Sequence, residues 1–163
     1  MIQRIKPKKG QESVWDYPRP PRIEPFNGKI KIVFNGSTIV DTTTAFRILE
    51  TSHPPTYYIP LDQFKAGTVV KGVSSSFCEF KGMARYYDIV VDDQRAARAA
   101  WGYSEPSSLY RNLQGCVSVY AHLVDTCYVN DEKVQAQEGD FYGGWITHNI
   151  VGPFKGGAGT WGW

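Results

Sequence analysis

The sequence predicts a mainly β fold, a single domain of bent antiparallel sheets with one or two short helices. Composition is the first reason. Aromatic residues make up 14% of the 163, with 16 glycines and 10 prolines and no internal repeat, a balance typical of turn-rich β chains and foreign to helix bundles. The second is KIKIVFNGSTIVD, where Lys29 and Lys31 alternate with Ile30, Ile32 and Phe34, and Asn35-Gly36 then separates two apolar runs. Asn-Gly between such runs is the strongest short-range hairpin signal. The third is length: one domain of this size buries roughly two thirds of its unfolded surface and needs no metal or disulfide to hold a core.

The elements follow in order. Residues 1–27 contain WDYPRPPRIEP, whose prolines forbid helix and favour an extended arm. Trp15 and Tyr17 are the anchors that would tack it to the domain formed by residues 28–163; the alternative is a proline-motif ligand for a partner. Residues 45–50 fit a strand or a short helix, and Pro54-Pro55 ends either. TYYI then reads as a strand closed by Pro60, so that ETSHPP is a corner. LDQFKAG allows at most two helical turns, and SSFCEFKGMARYYDIVV is a long β run with a bulge or tight bend expected at Gly82. In DDQRAARAAWG, Asp92 can cap an Ala/Arg-rich helix, whereas the preceding strand calls for an antiparallel return. SEPSSLYRNLQG predicts a brief helix capped by Ser or Glu, CVSVYAHL a strand, and TCYV with KVQAQ a second hairpin around Asn130-Asp131-Glu132. The last 23 residues hold seven glycines, which implies close backbone approaches around buried Trp145, Ile146, Ile150, Val151 and Phe154.

Charge and cysteine usage exclude several functions. The formal charge is +2, but residues 1–31 hold eight Lys or Arg against three acids, which leaves the remainder net negative. That remainder has no basic face for a phosphate backbone, so nucleic acid is not expected as a partner. No apolar run follows the basic start and no stretch approaches a membrane span, so a cytoplasmic protein without a membrane partner is expected. Cys78, Cys116 and Cys127 are widely spaced with no C-x-x-C pair, and read as reduced thiols. His122 and His148 have no companion at ligand spacing, and neither a metal nor a cofactor is expected. GPFKGGAGT lacks the residue order of a phosphate loop, and the Gly-Ser step at 36–37 has no Asp-x-Asp to hold the metal ions of nucleotide transfer.

Three residues are candidates for catalysis. Lys81 stands three residues from Cys78 and could lower the pKa of its thiol, although strand alternation sends the two to opposite faces unless Gly82 bends the chain. His53, in the corner with Glu50, Ser52 and Tyr57, could serve as a general base or could simply bond the backbone that the prolines free. The aromatics beside Gly and Pro turns are the positive evidence for a ligand groove, against plain core packing. The resulting expectation is an unknown small molecule bound by His53, Tyr57, Glu79, Lys81, Tyr87, Trp101 and Trp145. Tyr57 and His53 would face the groove, and Tyr58 would pack on the opposite side. The alternatives are a hydrolase-like or transferase-like enzyme using Cys78 with Lys81 or His53, and an interaction module docking through the arm. A homo-oligomer is left open.

ESVWDYPRPPR, RILETSHPPTYYIP, CEFKG followed by ARYY, AAWGY, FYGGWIT and VGPFKGGAGTWGW together resemble a bacterial family named for a domain of unknown function, number 427, over nearly the whole chain. The resemblance implies a β-rich domain of bent, tent-like sheets and no known activity. A nucleotidyltransferase label attached to such proteins conflicts with the missing Asp-x-Asp. In the family pattern the segment matching DIVVDDQRAARAAW carries a Gly-Gly turn between strands, here Asp92-Asp93-Gln94. The resemblance therefore favours a hairpin over the helix that propensity suggests. It maps a Cys-x-aromatic-Lys-Gly step onto Cys78, Phe80, Lys81 and Gly82, and a His-Pro-Pro corner onto His53, Pro54 and Pro55, with no role attached to either.

Overall fold

The computed structural model describes residues 2–78 and 80–163, except for the side chains of Val73, Ser74, Ser76, Phe77 and Cys78. Among these residues the chain forms strands β1 (Glu12–Ser13), β2 (Arg22–Phe26), β3 (Ile30–Phe34), β4 (Ser37–Thr42), β5 (Ala45–Leu49), β6 (Thr56–Pro60), β7 (Val69–Cys78), β8 (Gly82–Val91), β9 (Gln94–Gly102), β10 (Cys116–Val119), β11 (Thr126–Val129), β12 (Glu132–Lys133), β13 (Gln135–Ala136), β14 (Trp145–Ile146) and β15 (Ile150–Val151). A seven-stranded sheet runs β2-β5-β6-β10-β9-β8-β7, and a four-stranded sheet runs β12-β11-β3-β4. All pairings in both are antiparallel. The short helices are 3₁₀ segments, Val14–Asp16, Leu61–Gln63, Ser108–Leu113 and Ala121–Leu123. Ser107 precedes the longest of them without capping it through its side chain.

Both expected turns form where their residues demand, but the second hairpin is shorter than TCYV with KVQAQ: β11 pairs with Glu132–Lys133, and Gln135–Ala136 pairs instead with β14. Asn35 and Gly36 link β3 to β4 with φ of 49° and 71°, and Asn130 and Asp131 link β11 to β12 with φ of 50° and 67°. Two successive positive φ values give the turn whose twist matches the flanking strands. Residues 45–49 are strand, and 94–102 form β9, which returns along β8 with Val91 facing Gln94 and Tyr87 facing Ala100. Sheet pairing overrides the helix propensity of the Ala/Arg run, and Asp92 supplies the positive φ, 54°, in place of glycine. At Gly82 the chain does more than bend: it reverses, and Cys78 pairs with Gly82 as β7 turns into β8.

The first 27 residues carry structure of their own. β2 is the edge strand of the large sheet, and β1 lies parallel to β15. Val14 and Tyr17 are buried with Leu49 and Ile150, and Trp15 packs against them. The Trp15 indole N–H donates to the Pro153 carbonyl at 2.9 Å. Arg47 on β5 ties the segment to the sheet by donating to Glu12 Oε1 at 2.7 Å and to Glu24 Oε1 at 3.0 Å.

The large sheet buries apolar side chains on both faces. On one, Tyr57, Ile59, Tyr87, Ile89, Val117 and Val119 meet Ile30, Ile32, Ile39 and Val40 of the small sheet, with Trp145 completely buried among them. On the other, Ile48, Tyr58, Ala84, Tyr86, Trp101, Tyr103 and Tyr120 gather with Tyr110 and Leu113 of the longest 3₁₀ segment. The side-chain period of two sorts neighbours between these cores. Within the first, Trp145 stacks on Tyr57 with ring centroids 5.1 Å apart, and its indole N–H donates to the Val119 carbonyl at 2.9 Å. Trp145→Ala removes that stack and leaves a cavity. It is expected to cost about 3–5 kcal/mol, the range for deleting a large buried aromatic, read as a lower urea midpoint at unchanged slope.

Candidate functional site

The second face of the large sheet leaves a chamber of about 230 Å³. Its wall comes from neighbouring strands: Ile48 on β5, Thr56 and Tyr58 on β6, Ala84 and Tyr86 on β8, and Trp101 on β9, continued by Tyr103 and Tyr120. Tyr86 and Trp101 are cross-strand partners. Trp101 donates its indole N–H to the Tyr58 hydroxyl at 3.1 Å and packs on Tyr120 at 4.5 Å between centroids. Phe141 and Tyr142 close the lining from the glycine-rich segment. The close approaches predicted for that segment are here. A Cβ on Gly143 would stand 2.5 Å from the Trp101 ring, and one on Gly144 would stand 2.7 Å from the Pro54 carbonyl and the Gln137 side-chain oxygen.

Against this aromatic wall stand the polar side chains of His53, Glu50, Lys81 and Gln137. The 50–55 corner places the first two. The His53 backbone N–H donates to the Glu50 carbonyl at 3.0 Å, and Ser52 takes the left-handed conformation, φ 71°, that turns the chain. Lys81 is buried, at 8% exposure, in the segment joining β7 to β8, where its carbonyl accepts from the Ser107 N–H.

Gln137 decides the protonation pattern of His53. Its side-chain oxygen accepts from the Gly144 N–H at 2.9 Å, and its side-chain nitrogen donates to the Lys155 carbonyl at 2.7 Å. The amide is thereby oriented, and its second N–H points at His53 Nδ1, 3.2 Å away. Nδ1 must accept, so the proton of the neutral ring sits on Nε2, 3.7 Å from Glu50 Oε2. Burial, with Lys155, Arg19 and Lys81 adding positive charge, lowers the His53 pKa from its ordinary 6.5 to about 3. At neutral pH His53 is thus a fixed hydrogen-bond donor, and its Nε2 has no lone pair with which to act as a base.

Sequence reasoning placed three of its binding residues here: His53, Lys81 and Trp101 line the chamber. Tyr57, Tyr87 and Trp145 instead belong to the core between the sheets. The expected arrangement of the tyrosine pair is reversed, because on β6 it is Tyr58 that shares a face with Ala84 and Trp101, while Tyr57 is turned toward the small sheet. Glu79 and the Cys78 side chain lie outside the described residues. Cys116 and Cys127 are free and buried, and burial pushes the Cys116 thiol up to about 11 and the Cys127 thiol higher still, the opposite of an activated nucleophile. Sequence reasoning did not find Gln137 or Tyr120. Sequence reasoning puts Tyr120 inside the strand CVSVYAHL and Gln137 at the end of a hairpin arm, and neither place marks it as part of a site. Among the described residues no three His, Cys, Asp or Glu side chains gather to hold a metal ion.

Residues 22–130 match the family described as a domain of unknown function (DUF427) and labelled NTP_transf_9, and the chain belongs to that family. No curated protein matches it.

The His53 geometry makes stability depend on pH. The unfolded imidazole takes up a proton below its ordinary pKa of 6.5, whereas the folded one resists until about 3. The contribution is therefore complete above pH 6.5 and lost progressively as pH falls toward 3. His53→Gln should flatten that part of the profile in denaturant titrations, and ¹⁵N spectra of the wild type should show Nε2–H at pH 5. A His53 ring that titrates near 6.5 contradicts the assignment.

Proposed function

We propose that this DUF427-family chain binds a small, ring-bearing molecule inside the aromatic chamber. The observation that supports this best is the contrast within the lining. Tyr58, Tyr86, Trp101, Tyr103 and Tyr120 offer broad apolar faces, while His53, Lys81 and Glu50 supply a directed N–H donor, a cation and a carboxylate. Ligand sites typically combine a mostly apolar concave surface with a few polar groups that fix orientation. Ring burial contributes roughly 25 cal/mol per Å² of apolar area removed from water, and the polar groups select among molecules of similar shape.

The role is one of binding rather than proton transfer, since Gln137 holds His53 as a donor. We take the protein to be cytoplasmic and its ligand a dissolved metabolite. The net negative charge beyond residue 31 supports a partner other than nucleic acid. No helix is long and apolar enough to cross a membrane among the described residues.

A thermal-shift screen of small aromatic metabolites tests the proposal, with Trp fluorescence as the second readout because Trp101 is part of the wall. A ligand at 100 times its Kd should stabilise the fold by about 2.7 kcal/mol. Ala84→Phe, which fills the chamber from β8, should abolish the shift. A screen in which no aromatic compound stabilises the wild type, or in which Ala84→Phe binds equally well, overturns it.

A further inference from the structure

β8 and β9 fall out of register next to the chamber. Tyr87 faces Ala100 and Ile89 faces Ala96, so Asp88 alone is opposed by Ala97, Arg98 and Ala99. Bulges of this kind re-aim side chains and are over-represented beside functional sites. Within this one Arg98 has φ 54°, in the left-handed region that residues other than glycine seldom occupy. The conformation is clasped by Asp88, a buried carboxylate whose Oδ1 accepts the Arg98 backbone N–H at 2.9 Å. Its Oδ2 accepts from Arg95 Nε at 2.8 Å. The Arg98 N–H is the foremost influence holding the Asp88 carboxyl below its ordinary pKa, with Arg95 adding to it against the opposing effect of burial.

The clasped backbone sends the Arg98 side chain to the chamber's edge. The guanidinium carbon lies 4.3 Å from the centroid of the Tyr86 ring. Tyr86, Tyr120 and Phe141 are walls shared by the chamber and an outer basin that is also lined by Arg98, His122, Leu123 and Asp140. Bending the sheet would need the bulge but no arginine at its apex. Among the described residues no carboxylate is paired with the Arg98 guanidinium. Lys81, inside the chamber, already has an interaction of its own.

We propose that Arg98 is the outer half of the same binding site, and that the ligand is an aromatic monocarboxylate with its ring in the chamber and its carboxylate on the Arg98 guanidinium. This rests on the chamber being a binding site. A planar guanidinium matches a carboxylate with two parallel N–H donors, a fit that a lysine cannot reproduce. Asp140 in the same basin disfavours a second negative charge, which points to a carboxylate rather than a phosphate dianion.

The test uses 3-phenylpropanoate and its neutral isostere 3-phenylpropanamide, titrated against the intact chain by Trp fluorescence. Wild type should bind the acid at least about tenfold more tightly than the amide, a difference of 1.4 kcal/mol. Arg98→Gln should abolish that preference, and Arg98→Lys should keep only part of it. Equal binding of acid and amide by the wild type overturns the inference and leaves the chamber standing. So does an acid preference that survives Arg98→Gln and vanishes in Lys81→Met, which puts the carboxylate inside. Failure of both probes to bind goes against the chamber itself.

Discussion

The seven-stranded sheet has to bury both of its faces, and the rest of the structure depends on how it does so. Tyr57 and Tyr58 show the requirement in two adjacent residues, at 2% and 1% exposure on opposite sides of β6. The first side is solved by a second sheet, whose Ile30, Ile32, Ile39 and Val40 interlock with the large sheet around Trp145. Among the described residues no sheet faces the second side. It is covered by a 3₁₀ segment carrying Tyr110 and Leu113 and by residues of the glycine-rich segment. Such a cover meets the sheet at fewer points than regular sheet-on-sheet packing, and bulky rings cannot fill every gap. The chamber is the space left over, and its walls are aromatic because large side chains had to span it.

Gln137 connects this geometry to chemistry. One amide simultaneously fixes the backbone at Gly144, the carbonyl of Lys155 and the tautomer of His53. A buried amide whose donors and acceptor are all satisfied is rigid, and it leaves the His53 Nε2–H as the free end of the network. A ligand bound as we propose would therefore meet His53 as a donor already in place, with no rotamer or proton left to arrange. Preorganisation of this kind lowers the ordering cost of binding. At the other border of the site, Asp88 serves Arg98 in the same way, holding a backbone conformation that only a compensating bond makes tolerable.

Much of the fold was legible in the sequence because its turns are chemically specific. Asn35-Gly36 and Asn130-Asp131 marked hairpins through residues that accept positive φ. The strand at 94–102 was ambiguous from residues alone: Ala and Arg favour helix locally, and only pairing with β8, a non-local interaction, settles the matter. His53 and Lys81 could be picked out as chamber-lining residues because a corner and a turn carry them, and Trp101 because it stands beside Gly102 near the end of a strand. Tyr57 and Tyr58 could not be told apart, since alternation says that neighbours face opposite ways without saying which face is which. Gln137 and Arg98 acquire their roles from contacts with residues far away in the sequence or from a bulge, and a bulge without glycine leaves no local mark.

The central claim is that the chamber admits a ligand ring. The Ala84 methyl group reports on this directly, because it is buried at 3% exposure and forms part of the wall. Nuclear Overhauser effects between that methyl, selectively labelled, and the ring protons of a bound aromatic ligand are the measurement. Strong cross-peaks from ring protons to Ala84 should grow in as the ligand is added. Saturable binding with no Ala84 cross-peak would place the ligand elsewhere and contradict it.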